Sequence, residues 1–186
     1  MSSKLILVGM KSSGKTSVGR ELSRLLGLEF VDVDQKLEAR YFEETGIFLS
    51  CRDILAQLGT DYYRKLESKV LQTLSKELSN VKFVLATGGG AVLDDKNREI
   101  LSGMGLVVFL DVEQGVLLSR IVAGGIPPFF LFPEDPEQSL SIILNIRKPL
   151  YTEMSDVIIR CDSEAPALIA DRIVAKVRTY NKEGIL

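Results

Sequence analysis

The chain contains no histidine and no tryptophan, and only two cysteines and six prolines. Without histidine there is no Ser-His-Asp triad, no HExxH zinc site, no phosphohistidine and no imidazole acting as general base. Cys51 and Cys161 stand far apart, in neither a disulfide framework nor a zinc-ligand spacing, so both are expected to be reduced thiols. Neither sign of charge dominates: 23 Lys+Arg face 25 Asp+Glu, a net charge of −2. That balance provides no broad positive field for nucleic acid, so an anionic ligand must be held by locally placed cations. Long apolar runs are also missing. The uncharged stretch Ile121–Pro133 is interrupted by Pro127, Pro128 and Pro133 and falls short of the roughly 20 residues a membrane-spanning helix needs. The N-terminal residues enter a strand pattern at Lys4 with no signal-peptide pattern. The expectation is a single cytoplasmic domain over residues 1–186, monomeric, with no membrane or nucleic-acid partner.

What is present is an alternation of short apolar runs with helical patterns. Lys4–Val8, Glu29–Val33, Lys82–Ala86, Leu106–Leu110 and Asp156–Arg160 read as strands. Helical spacing follows the first strand at Val18, Leu22, Leu25 and Leu26. It continues from Asp34 to Leu78, with breaks near Thr45–Gly46 and Gly59, and returns near 95–102, 113–123, 139–153 and 165–180. Strands alternating with helices predict an α/β fold, a five-stranded parallel sheet covered by helices on both faces in three layers. Gly124–Gln138 is rich in glycine and proline and reads as a mobile loop between two helices, of the kind that closes over an active site.

Between the first strand and the first helix lies Gly9-Met10-Lys11-Ser12-Ser13-Gly14-Lys15-Thr16, which fits G-x-x-x-x-G-K-[ST]. The glycines let the backbone wrap so that successive N–H groups face phosphate oxygens, and the following helix adds its positive dipole end. Lys15 is placed to reach the β- and γ-phosphates, and the Thr16 hydroxyl to bind Mg²⁺. Gly9, Lys11, Ser12, Ser13, Gly14, Lys15, Thr16 and Ser17 are therefore the candidate nucleotide-binding residues.

A phosphate loop does not say where the phosphoryl group goes. Asp32 and Asp34 close the second strand two residues apart, which would aim both at one face. One suits Mg²⁺ and the other an acceptor hydroxyl, although D-x-D at a strand end also serves as solvated acid or helix cap. Arg64 and Glu67 in Tyr63-Arg64-Lys65-Leu66-Glu67 are neighbours at i, i+3, a spacing shared by surface ion pairs. Thr87-Gly88-Gly89-Gly90 ends the third strand with bare backbone a small ligand can approach. Arg147-Lys148-Pro149-Leu150-Tyr151 reads as the end of a helix, where basic residues suit the dipole.

Taken in order, G-x4-GKT, D-x-D, aromatic-Arg-x-x-Glu, TGGG and R-x-PLY resemble the shikimate kinase family, small P-loop kinases of the nucleoside-monophosphate-kinase superfamily. The resemblance spans nearly the whole chain. It implies ATP, Mg²⁺ and phosphoryl transfer to the 3-hydroxyl of shikimate, with an acceptor-binding region at about 33–67 and a lid at about 121–138. It implies Asp34 as base or orienter beside Lys15, and Asp32 with Thr16 at the metal. Arg64, Arg147 and Gly88–Gly90 would lie at the substrate, Glu67 would position Arg64, and Arg120 would lie against the adenine. A nucleoside monophosphate kinase is the nearest rival, but an Asp–Arg–Arg set suits a hydroxy acid better than a nucleotide base.

The sequence departs from the family where its lid carries an arginine: Pro127 stands there, and no Lys or Arg occurs between Arg120 and Arg147. A cation over the transferring phosphoryl group is worth about 10³–10⁵ in rate, roughly 4–7 kcal/mol of barrier. Three readings stay open. Lys11 supplies part of the missing charge, or the Phe129–Phe132 run closes over a less polar hydroxy acid, or the chain is a weakly active nucleotide-binding relative. The same aromatic run equally suits packing on the protein body or on a neighbouring chain.

Overall fold

The computed structural model describes residues 4–182. Five parallel strands, β1 (Lys4–Val8), β2 (Glu29–Asp32), β3 (Phe83–Ala86), β4 (Leu106–Val112) and β5 (Val157–Cys161), form one sheet in the order β2-β3-β1-β4-β5. β1 sits at the centre, Ile6 opposite Leu85 on one side and Val107 on the other. Period-two alternation divides its side chains between two cores. Leu5 and Leu7 join one cluster with Val18 and Leu22, Leu117 and Ile121, and Ile169 and Ile173. Ile6 and Val8 join the other with Leu37, Ile54, Leu71 and Leu101. Helices α1 (Lys15–Leu26), α5 (Gln114–Ala123) and α7 (Pro166–Lys182) supply the first cluster. Helices α2 (Val33–Thr45), α3 (Cys51–Glu77) and α4 (Asp95–Met104) supply the second. The three-layer expectation holds: β1, β3 and β4 are sandwiched and read as nearly continuous apolar runs, while the edge strands β2 and β5 expose Glu29 and Arg160.

Boundaries shift where local hydrogen bonding overrules apolar pattern. β2 stops at Asp32, and Val33, expected in the strand, is the first residue of α2. Asp32 is the N-cap, its Oδ1 accepting from the Asp34 N–H at 3.0 Å. Asp34 is thus presented by a helix turn and not by strand alternation, the reason that had put both carboxylates on one face. The third strand begins at Phe83, the fourth runs on to Val112 and the fifth spans Val157–Cys161. The Asp156 carboxylate, expected within that strand, instead accepts from the Val107 N–H at 2.8 Å. Gly59, at φ +81°, breaks α3 as its position predicts.

Helix α6 (Pro136–Met154) starts earlier than its periodicity implied, with Pro136 in the first turn and the Asp135 carboxylate capping the Gln138 N–H at 3.0 Å. The Gly124–Gln138 loop therefore shortens to 124–135. The helix also continues through Pro149, so Arg147 is not a C-terminal residue complementing the dipole. It lies inside the helix, buried. Among the described residues no helix is long and apolar enough to cross a membrane.

Candidate functional site

The carboxyl ends of β1, β2 and β3 open into one cleft of about 440 Å³, at the edge of the sheet where α/β folds bind ligands. Lys11, Ser12, Gly14, Lys15, Thr16 and Ser17 form its phosphate-loop wall. Asp32, Asp34, Arg64, Gly88, Gly89, Gly90 and Arg147 form the facing wall. Three expected residues lie behind it. Gly9 backs onto β4, where a Cβ would meet the Leu110 carbonyl at 2.9 Å. Ser13 is buried under the loop. Arg120 donates to the Ser12 carbonyl at 3.3 Å and the Asp162 carbonyl at 3.4 Å, bridging the loop to the segment after β5.

Lys15 is folded inward. Its Nζ donates to the carbonyls of Gly9 at 2.9 Å and Met10 at 2.8 Å. Burial pulls its pKa down to about 8, against the opposing charges of Asp34 and Asp32. Thr16 Oγ1 donates to Asp32 Oδ2 at 2.8 Å. This pair of hard oxygens suits Mg²⁺, which takes few protein ligands and completes its shell with water and phosphate.

On the facing wall, Glu67 is fully buried and ion-paired with Arg64 (Nη1–Oε2 2.5 Å). Burial pushes the Glu67 carboxyl above the usual range despite Arg64. Burial, then Asp32, raises Asp34 likewise, opposed by Lys15 and Lys11. Arg147 donates to the Gly89 carbonyl at 3.2 Å and lies over the Phe129 ring at 5.0 Å, and the Tyr151 hydroxyl donates to the same carbonyl. The glycines are required by these neighbours: a Cβ on Gly88 would lie 2.8 Å from Glu67 Oε1 and 3.0 Å from Asp34 Oδ1. On Gly89 it would lie 2.8 Å from the Lys11 amide nitrogen, and on Gly90 2.0 Å from Arg64 Nη2.

Three buried polar atoms here have no partner: Asp34 Oδ1, Glu67 Oε1 and Arg64 Nε. A buried polar atom left unpaired costs about 1–3 kcal/mol. Two carboxylate oxygens want donors and a guanidinium N–H wants an acceptor, which is the complement of a small molecule carrying hydroxyls and a carboxylate.

Sequence reading passed over several wall residues. Cys51 lines the cleft, its thiol donating to the Asp34 carbonyl at 3.3 Å, and burial raises its pKa. Tyr63 is buried beside it, under Arg64 at 5.3 Å. Arg52 and Leu55 from α3 also contribute, and Pro127, Pro128 and Phe129 form the third wall. The aromatic run splits: Phe130 is buried in the core, Phe129 packs edge-on against it, and Leu131 and Phe132 are exposed. Pro127, Pro128 and Phe129 fall in the loop that its glycines and prolines marked in advance, and Tyr63 in the aromatic-Arg motif. Cys51, Arg52 and Leu55 carry no local mark of their position.

Comparison with known proteins agrees with this geometry. The family model described as shikimate kinase matches residues 11–178. A shikimate kinase from Synechococcus sp. (strain CC9605) is 41% identical over 170 residues, covering 91% of this chain and 80% of the relative. One from Histophilus somni (strain 2336) is 33% identical, covering 91% and 92%. The solved shikimate kinase from Acinetobacter baumannii in complex with shikimate superposes with a TM-score of 0.83 at 35% identity, covering 95% of this chain and 93% of that one. The one from Bacteroides thetaiotaomicron superposes at 0.78 with 26% identity, covering 96% and 99%. A phosphate loop facing an Asp–Arg–Arg pocket, matched in sequence and in fold over nearly the whole length, establishes that this chain belongs to the shikimate kinase family.

Proposed function

We propose that this protein transfers the γ-phosphoryl group of ATP to the 3-hydroxyl of shikimate. The observation that carries the reading is the set of orphaned buried atoms on residues that share one cleft with the phosphate loop: Asp34 Oδ1, Glu67 Oε1 and Arg64 Nε. Shikimate is a cyclic acid with several hydroxyls and can satisfy both polarities at once.

Asp34 then accepts from the reacting hydroxyl, orienting it in line with the γ-phosphorus and receiving its proton as the bond forms. Its raised pKa makes it a stronger proton acceptor than an exposed aspartate. Arg64 and Arg147 hold the carboxylate, Arg64 being fixed by Glu67 and Arg147 by the Gly89 carbonyl. Lys15, already pointed into the loop, gives up its carbonyl partners for β- and γ-phosphate oxygens. Thr16 and Asp32 would hold Mg²⁺, which when bound with ATP offsets phosphate charge. Arg120 stands where the loop meets the segment after β5, the side on which the adenine would lie. Residues 33–67 form the acceptor-binding region, and the connection 124–135 acts as the lid, with Pro127–Phe129 shutting the cleft. Lys11, exposed on the loop and felt electrostatically by both Lys15 and Asp34, supplies part of the cationic charge that the lid lacks.

A coupled ADP-release assay with and without shikimate tests this. The expected result is a shikimate-dependent rate of about 1–100 s⁻¹. ADP release indifferent to shikimate rejects the acceptor assignment.

A further inference from the structure

The connection 124–135 is held differently at its two ends. Downstream, Phe130 is buried in the core, and the buried Ser139 hydroxyl both accepts from the Phe132 N–H at 2.8 Å and donates to the Phe132 carbonyl at 3.0 Å. Phe129 is covered by the Arg147 guanidinium. The upstream end contains Gly124, Gly125 at φ +86°, and two prolines without N–H groups. Arg52 reaches this end from α3: Nη2 donates to the Ile126 carbonyl at 2.8 Å, across 74 positions of sequence. The guanidinium lies close over the preceding residue, since a Cβ on Gly125 would come within 3.0 Å of Nη1.

The placement of Arg52 is costly for its own helix. It stands in the first turn of α3, behind the Ser50 N-cap, where the helix dipole disfavours a cation. Its immediate neighbour is tied to the acceptor side. The Cys51 N–H donates to Glu38 Oε1 at 2.9 Å, and its thiol donates to the Asp34 carbonyl. Arg52 also lines the cleft itself. One short segment therefore touches the Asp34 helix turn at one residue and the opposite wall at the next.

We propose that Arg52 is the latch of this lid, a positioning residue that ties the acceptor side to closure over the phosphates. The inference rests on the lid assignment above. Because residues 121–146 contain no Lys or Arg, this lid brings no cation of its own to hold it against a phosphate. Its closure depends on a donor from the opposite wall. Closure excludes water from the transferring phosphoryl group, so an unlatched lid favours hydrolysis of ATP over transfer to the acceptor.

The test compares Arg52→Ala and Arg52→Lys with wild type. Arg52 is exposed, and circular dichroism confirms that both variants fold. In unliganded Arg52→Ala, amide exchange over residues 124–131 should rise severalfold. With ATP and shikimate, kcat should fall about tenfold or more, the lower bound for losing a hydrogen bond to a charged donor. The ratio of ADP released to phosphate ester formed should rise. Arg52→Lys keeps a donor for the single carbonyl and should restore most of the ratio. Unchanged exchange in Arg52→Ala overturns the latch. Increased exchange with an unchanged ratio overturns its role in the reaction. The exchange measurement uses no substrate, so it stands apart from the acceptor assignment, which fails only if wild type ignores shikimate.

Discussion

Gly90→Ala tests the acceptor pocket without touching a charged residue. The backbone at Gly90 (φ −109°, ψ 0°) is open to any amino acid, so the methyl adds no backbone strain. The obstacle is Arg64, whose Nη2, Cζ and Nη1 would lie 2.0, 2.6 and 2.7 Å from the new Cβ. Ordinary contact is about 3.5 Å, so the guanidinium must retreat by roughly 1.5 Å. The side chain is 21% exposed and has room to move outward, and the fold survives. What is lost is the 2.5 Å bond to Glu67, which is left buried and unpaired, and the aim of Arg64 at the carboxylate. A displacement of about 1 Å near a reacting complex costs on the order of 10²-fold. The expected result is a kcat/KM for shikimate reduced about 10–100-fold, with KM for ATP unchanged because the phosphate loop is untouched. Melting temperature should fall modestly, since Glu67 responds to the loss of Arg64 by taking up a proton. Wild-type shikimate kinetics in Gly90→Ala would refute the assignment of Arg64 to the acceptor carboxylate.

Burial lowers Lys15 to about 8 in the free protein, and phosphate favours its charged form. KM for ATP should be flat below pH 8 and rise by up to about tenfold per unit above it, until the raised pKa of the complex is reached. A profile flat through pH 9 would contradict this. Lys11→Ala should lower kcat by about tenfold or more with little change in shikimate KM, as expected when charge is removed near the transferring group. Undiminished kcat would leave Lys11 an ordinary exposed lysine.

The phosphate loop was legible because its chemistry is local: eight consecutive residues form a cradle wherever a buried strand precedes them and a helix follows. Arg64 and Arg147 were legible as motifs but not as geometry. Arg147 read as a helix-end cation and instead lies inside α6, which continues through Pro149 and carries its guanidinium to the Gly89 carbonyl. Asp34 reaches the cleft for a different reason than strand alternation, because the Asp32 cap turns the chain into α2 one residue earlier than the apolar pattern showed. The loop at 124–138 was recognised by its prolines and glycines, yet its anchorage through Phe130 and Ser139 left no trace in composition.

The sequence alone determined the five strands, the helical intervals, the phosphate loop and the absence of a cation from 121 to 146. Each depends on contacts within a few residues or on period-two and period-3.6 patterning. Only the tertiary structure decided which side chains meet. It set the Arg64–Glu67 pair of α3 against Gly90, in a pocket too tight for a Cβ there, and it brought Arg52 to the Ile126 carbonyl across the cleft. Such meetings arise when helices from distant parts of the chain pack on opposite edges of one site, and no local pattern encodes that distance.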